Sequence, residues 1–195
     1  ETERETETAT WYEKFNYVAI GDSLAFGINE QNNIGNGYTH FVAHYLANNN
    51  ALNSYSNGYA VPGYTTADVY NAIENNTARL INEGINIAEL PAGTLDAIEA
   101  ADVITITAGA NDLLKHVQRN NNQLTIDFAA LLAEQQKVKT NYENMLTEIR
   151  EVNVHAFIYV VGYYNAFAHL PPATAAQAGQ LLGALNNTIA SVVEQ

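Results

Sequence analysis

Tyr17-Val18-Ala19-Ile20-Gly21-Asp22-Ser23-Leu24 is the stretch whose reading decides the fold class. Its apolar run has no helical period and is stopped by a glycine, so it reads as a buried first strand. A serine directly after a strand end sits where the next helix begins, with backbone N–H groups pointing toward whatever its hydroxyl meets. Val103-Ile104-Thr105-Ile106-Thr107 is the strongest strand in the chain, β-branched throughout. Both of its faces read as buried, as at the centre of a parallel sheet.

Working outward, residues 29–37 are rich in Asn and Gly and read as a loop. Phe41, Val42, Tyr45 and Leu46 recur at helical spacing in a helix starting at Tyr38 and ending near Asn48-Asn49-Asn50. Residues 52–56 read as a second strand. Thr65 or Thr66 caps a helix carrying Val69, Tyr70 and Ile73, with Asp68 in its first turn. Residues 75–99 hold short helical pieces broken by Gly84, Pro91 and Gly93. A long helix is expected over 127–150, its inner stripe formed by Phe128, Leu131, Leu132, Val138, Tyr142, Met145 and Ile149. Residues 156–161 read as a strand and 173–193 as a helix. Strands alternating with helices predict an α/β fold, a three-layer doubly wound parallel sheet of the flavodoxin-like kind.

A chain of 195 residues suits one such domain with a full core. A net charge of −13 without any Lys/Arg cluster excludes nucleic acid as a partner. It also disfavours unassisted docking on anionic lipid. The absence of cysteine rules out disulfides and thiolate metal sites. No apolar run approaches the roughly 18 residues of a membrane span. Residues 1–14 open with Glu1-Thr2-Glu3-Arg4-Glu5-Thr6-Glu7-Thr8 and read as a disordered acidic tail ahead of a domain over 15–195. Such a tail fits the stalk left when a signal or anchor segment is removed, which would place the protein outside the cell or anchored at its surface. A plain cytosolic tail fits the same residues.

Two further segments share the plan of the first: Val61-Pro62-Gly63-Tyr64-Thr65-Thr66-Ala67-Asp68 and Thr107-Ala108-Gly109-Ala110-Asn111-Asp112. Together with Gly21-Asp22-Ser23-Leu24 they resemble the first three blocks of the GDSL, or SGNH, family of esterases and lipases. The overall look is similar to extracellular lipase-like proteins of bacteria. The resemblance implies a serine esterase or lipase-type acylhydrolase that works through an acyl-serine intermediate on small or lipid-like esters, without metal or cofactor.

An acyl-transfer serine needs a base and donors for the oxyanion. Ser23 is the candidate nucleophile, with its own backbone N–H as one oxyanion donor; its alternative role is a helix cap. Gly63 resembles the second-block glycine that aims its N–H at the oxyanion, and Pro62-Gly63 equally suits the centre of a type II turn. Asn111 resembles the third-block asparagine, whose amide completes the oxyanion hole. Asp22 is expected to hydrogen-bond neighbouring backbone, and Asp112 to cap or brace.

The fourth block of the family, an Asp-x-x-His that supplies the base, is absent from this chain. The resemblance therefore implies an N-terminal portion lacking its last strand, with the base beyond residue 195. A C-terminal fragment or second chain would then cover the open edge of the fourth strand. Among the five histidines, His40 and His44 lack the Glu of a metal motif, His155 belongs to the wrong end of the sheet, and His116 to the wrong loop. His169 alone follows the fourth strand, where it can line the pocket or substitute as base. Tyr38, Tyr59, Tyr64, Tyr163, Tyr164 and Phe167 are candidates for an acyl pocket or for core. A different class of reading is a non-catalytic binding module that kept the pocket and lost the catalytic His.

Overall fold

The computed structural model describes residues 14–193 apart from positions 30, 32, 121, 122, 166, 167, 169 and 170. The acidic opening, Phe167 and His169 thus lie outside the described residues. The chain runs β1 (Phe15–Gly21), α1 (Ser23–Phe26), α2 (Tyr38–Asn48), β2 (Leu52–Ala60), α3 (Thr66–Glu74), α4 (Thr94–Glu99), β3 (Val103–Thr107) and α5 (Ala110–Leu114). It continues through β4 (Val117–Asn120), β5 (Gln123–Ile126), α6 (Phe128–Val152), β6 (Phe157–Val160) and α7 (Pro172–Val193).

Four strands form a parallel sheet in the order β2-β1-β3-β6. Side chains alternate across it, as the strand period of two requires. On one face Val18, Ile20, Ile104 and Ile106 join Val69 and Ile73 of α3 and the inner lines of α6 and α7 in the main core. On the other, Tyr17, Ala19 and Val103 meet Ala43 of α2 in a smaller one. These are the three layers expected from alternating strands and helices.

The two edges of the sheet differ. Beside β2, Tyr55 and Ile85 exchange backbone hydrogen bonds of 2.9 Å in both directions, and the Leu80 N–H donates to Gly58 O at 2.7 Å. That edge is covered. Among the described residues nothing pairs with the outer edge of β6. Ile158 and Val160 pack on the main core, whereas Phe157 and Tyr159 point the other way and are 58% and 56% exposed.

Three sequence expectations need correction. Leu132 is 70% exposed, because Leu131, Val138, Tyr142, Met145 and Ile149 already occupy the single line that a helix of this length turns to the core. Phe41 and Tyr45 are exposed as well. The inner face of α2 goes instead to Ala43 and to Thr39, whose hydroxyl donates to Ala25 O at 2.9 Å and accepts from the Tyr55 hydroxyl at 2.9 Å. Finally, β4 and β5 form an antiparallel hairpin for which no strand was expected.

The one-sided burial of α6 has a direct consequence for stability. Met145→Ala should cost about 2–5 kcal/mol, as other large-to-small core changes do. Leu132→Ala should stay within about 0.5 kcal/mol. Urea unfolding of the two variants checks the contrast, and equal losses would contradict this orientation of α6.

Candidate active site

The ends of three strands are level. Gly21 pairs with Ala60 on one side and Thr107 on the other. Ser23, Gly63 and Asn111 each follow one of those ends within a few residues, so all three lie along the carboxyl edge of the sheet. Strand order reverses between β1 and β3, and the crevice outside such a reversal is where open α/β sheets bind ligands.

The Ser23 turn is built by a close approach. Gly21 has φ +128°, and a β-carbon there would lie 2.0 Å from the Thr107 carbonyl oxygen. Only glycine allows it. The Asp22 N–H then donates to that same oxygen at 2.9 Å. Asp22 caps α1, its Oδ1 accepting from the Leu24 N–H at 3.0 Å. Ser23 opens a single helical turn that closes when the Gly27 N–H donates to Ser23 O at 3.0 Å. Asn57 Nδ2 donates to the buried carbonyl of Phe26 at 2.6 Å, so the end of α1 is tied to β2.

Gly63 occupies a type II turn. Its φ is +91°, and the Tyr64 N–H donates to Val61 O at 3.1 Å across Pro62-Gly63. A β-carbon at Gly63 would meet nothing within 4 Å, so the residue is needed for its backbone angle rather than for space. The turn is anchored on the serine strand by the Val61 N–H, which donates to Gly21 O at 2.8 Å. Asn111 joins the same loop, its Nδ2 donating to Tyr64 O at 2.8 Å. That bond uses one of two amide hydrogens and leaves the other to donate.

Both neighbouring carboxylates are buried. Asp112 is 1% exposed and accepts from the Thr66 N–H and hydroxyl at 2.8 Å each, while Asn141 of α6 donates to that hydroxyl at 2.8 Å. It braces the start of α3 against α5, the scaffold role expected of it. Burial pushes its carboxyl above the usual range, opposed by the two Thr66 donors. Asp22 is also 1% exposed, and burial raises its carboxyl against the donors that face it.

Residues 19–195 match the GDSL-like Lipase/Acylhydrolase family. The chain belongs to that family. It is 28% identical to "Uncharacterized protein YpmR" of Bacillus subtilis (strain 168) over 151 residues, 77% of this chain and 51% of YpmR. The chain thus spans about half the length of that curated relative. Among solved structures, the lipase Lip_vut3 from a goat rumen metagenome superposes with a TM-score of 0.62 at 21% identity, covering 92% of this chain and 76% of the lipase. AlinE4, an SGNH-hydrolase family esterase, gives 0.53 at 18% identity, covering 92% and 72%. These likenesses carry the fold, a parallel sheet flanked by helices.

For this GDSL-like chain the histidines are informative by position. His40 is half-buried and its Nδ1 accepts from the Gly37 N–H at 3.2 Å; His44 is exposed on α2. Burial and the neighbouring His44 hold His40 below its ordinary pKa. His116 binds Glu134 at 3.3 Å, and His155 is exposed ahead of β6 at the amino edge. No group of three or more His, Asp or Glu side chains is arranged to hold a metal among the described residues.

Of the pocket aromatics, Tyr59 and Tyr163 are core, 3% and 8% exposed, and Tyr59 donates to Pro91 O at 2.5 Å. Tyr38 shares a 2.6 Å hydrogen bond with Thr107, and Tyr164 faces solvent. The sequence reading missed the bond from the Tyr163 hydroxyl to Asp22 Oδ2, 2.5 Å long and spanning 141 positions. It missed Asn141 and Asn57 too, because polar residues inside a helix or strand carry no local signal of a distant partner.

Asp112→Ala should leave the Thr66 N–H and hydroxyl without an acceptor, at a cost on the order of 1–3 kcal/mol for each. Denaturant unfolding measures it. A loss below about 0.5 kcal/mol would mean that Asp112 does not brace α3.

Proposed function

We propose that this member of the GDSL-like family is a serine ester hydrolase. In this reading the Ser23 oxygen attacks the ester carbonyl, a base accepts its proton and returns it to the departing alcohol, and water then releases the acid from the acyl-serine. The N–H groups of Ser23 and Gly63 and the free amide hydrogen of Asn111 receive the negative charge on the carbonyl oxygen. One observation carries the proposal: the three residues follow three adjacent strand ends, and Asn111 is bonded to the carbonyl next to Gly63. Family membership and the names of the solved relatives, a lipase and an esterase, support an ester substrate.

The base, in this proposal, comes from polypeptide beyond residue 195. The positions of the four described histidines, two on α2, one after α5 and one ahead of β6, favour that view over a base among them. The same polypeptide, or a second chain, would cover the open edge of β6 and the aromatic face of Phe157 and Tyr159. The acidic opening supports a place outside the cell or on its surface. A binding module without hydrolytic chemistry is the second reading, and the test below separates the two.

A serine without its base retains only what binding and the oxyanion hole supply. Residues 1–195 alone should turn over p-nitrophenyl acetate near the background rate. The longer protein should hydrolyse it, lose activity in Ser23→Ala, and lose about 10²–10³-fold in kcat in Asn111→Ala. A fluorophosphonate should label Ser23 in the active form. Rapid turnover by residues 1–195 that Ser23→Ala abolishes would place the base within them. A longer protein that neither hydrolyses esters nor reacts with the probe would favour the binding module.

A further inference from the structure

We infer that Tyr163, locked in place by Asn186, is a positioning residue for Ser23 and acts through Asp22; this rests on the hydrolase reading above. The chain leaves the sheet after β6, with the Val161 N–H as its last bond to β3, donating to Ile106 O at 2.9 Å. Two residues later a side-chain amide takes over the role of a neighbouring strand. The Tyr163 N–H donates to Asn186 Oδ1 and Asn186 Nδ2 donates to Tyr163 O, both at 2.9 Å. This clamp fixes the backbone at residue 163, and the phenol then reaches Asp22 Oδ2 at 2.5 Å. Leu185, beside Asn186 on α7, is fully buried and lies over Gly109, two residues before Asn111. One helix therefore braces both the serine turn and the asparagine loop.

The tether bears on chemistry because Asp22 is the cap of α1. Its Oδ1 holds the Leu24 N–H while its Oδ2 holds Tyr163, so the two bonds together fix the orientation of the turn that carries Ser23. A misplacement of about 1 Å at a reacting atom costs on the order of 10²-fold in rate. Among the described residues, the titratable groups that face Asp22 are three phenols: Tyr163 from the loop after β6, Tyr142 from α6 and Tyr38 from α2. With no cation among these, the Tyr163 hydroxyl is the main side-chain donor opposing the effect of burial on the carboxylate.

Tyr163→Phe removes that donor and keeps the ring. The ¹³C titration of the Asp22 carboxyl should move to higher pH by about one unit or more, and Asn186→Ala should move it in the same direction by less. Tyr142→Phe is the control, since its hydroxyl donates to Ala108 O and not to Asp22; the titration should stay in place there. In the hydrolytically active protein, Tyr163→Phe should lower kcat about 10- to 100-fold with KM within about threefold, and shift the acid limb of the pH profile upward. An unmoved Asp22 titration in Tyr163→Phe overturns the tether whatever the kinetics. A moved titration with unchanged kcat overturns the positioning role. If the titration moves but no form of the protein hydrolyses esters, the hydrolase reading fails and the tether to Asp22 stands.

Discussion

The carbonyl oxygen of Thr107 occupies the space that a β-carbon on residue 21 would need, and the geometry of the carboxyl edge follows from that contact. Because residue 21 is glycine at φ +128°, β1 turns past β3 close enough for the Asp22 N–H to bond Thr107 O. The same residue presents its carbonyl to the Val61 N–H, which sets the start of the Pro62-Gly63 turn. A single residue thus registers the serine turn against the loops of both neighbouring strands. Any side chain there would have to push β1 and β3 apart, moving Ser23 away from Asn111.

What could be read from the sequence was local. The strand before Ser23, the β-branched run of β3, the Thr65–Asp68 capping box of α3 and the Pro-Gly turn each announce themselves within a few residues. Their order then fixes the sheet, because parallel strands joined through helices leave few topologies. The relations that position the site join residues far apart. Asp22 and Tyr163, Thr66 and Asn141, and Asn57 and Phe26 pair across distances at which no residue type predicts its partner. The β4–β5 hairpin escaped for another reason: Val117-Gln118-Arg119-Asn120 lacks the alternation that marks a strand against a core, and Gln123-Leu124-Thr125-Ile126 carries it over only four residues. Leu132, Phe41 and Tyr45 show the converse, apolar residues that match a helical period approximately and lose the inner line to better-placed neighbours.

The sheet is protected unequally, and the difference bears on the site. At β2 a non-helical segment supplies the missing backbone partners through Ile85 and Leu80. At β6 the backbone edge and the rings of Phe157 and Tyr159 remain uncovered among the described residues. An open edge next to aromatic side chains is a template for added polypeptide. The loop that leaves β6 also carries Tyr163, so the open edge and the tether to Asp22 belong to the same strand and the loop that follows it.

The buried charges sort by the kind of donor that holds them. Asp22 and Asp112, next to the serine and the asparagine, are met by phenol, hydroxyl and backbone N–H groups. The cations Lys115, Lys137 and His116 converge on Glu134 of α6, and Lys115 also acts on Asp112 from there. The two arrangements respond to pH with opposite sign. Burial raises Asp22 and Asp112 above their ordinary values, so stability linked to them is greatest below the unfolded-state pKa and declines as pH rises through the folded one. At Glu134 burial acts in the same sense, but its lysine and histidine donors outweigh it and lower the pKa; the stability it contributes is present above the unfolded value and lost on acidification.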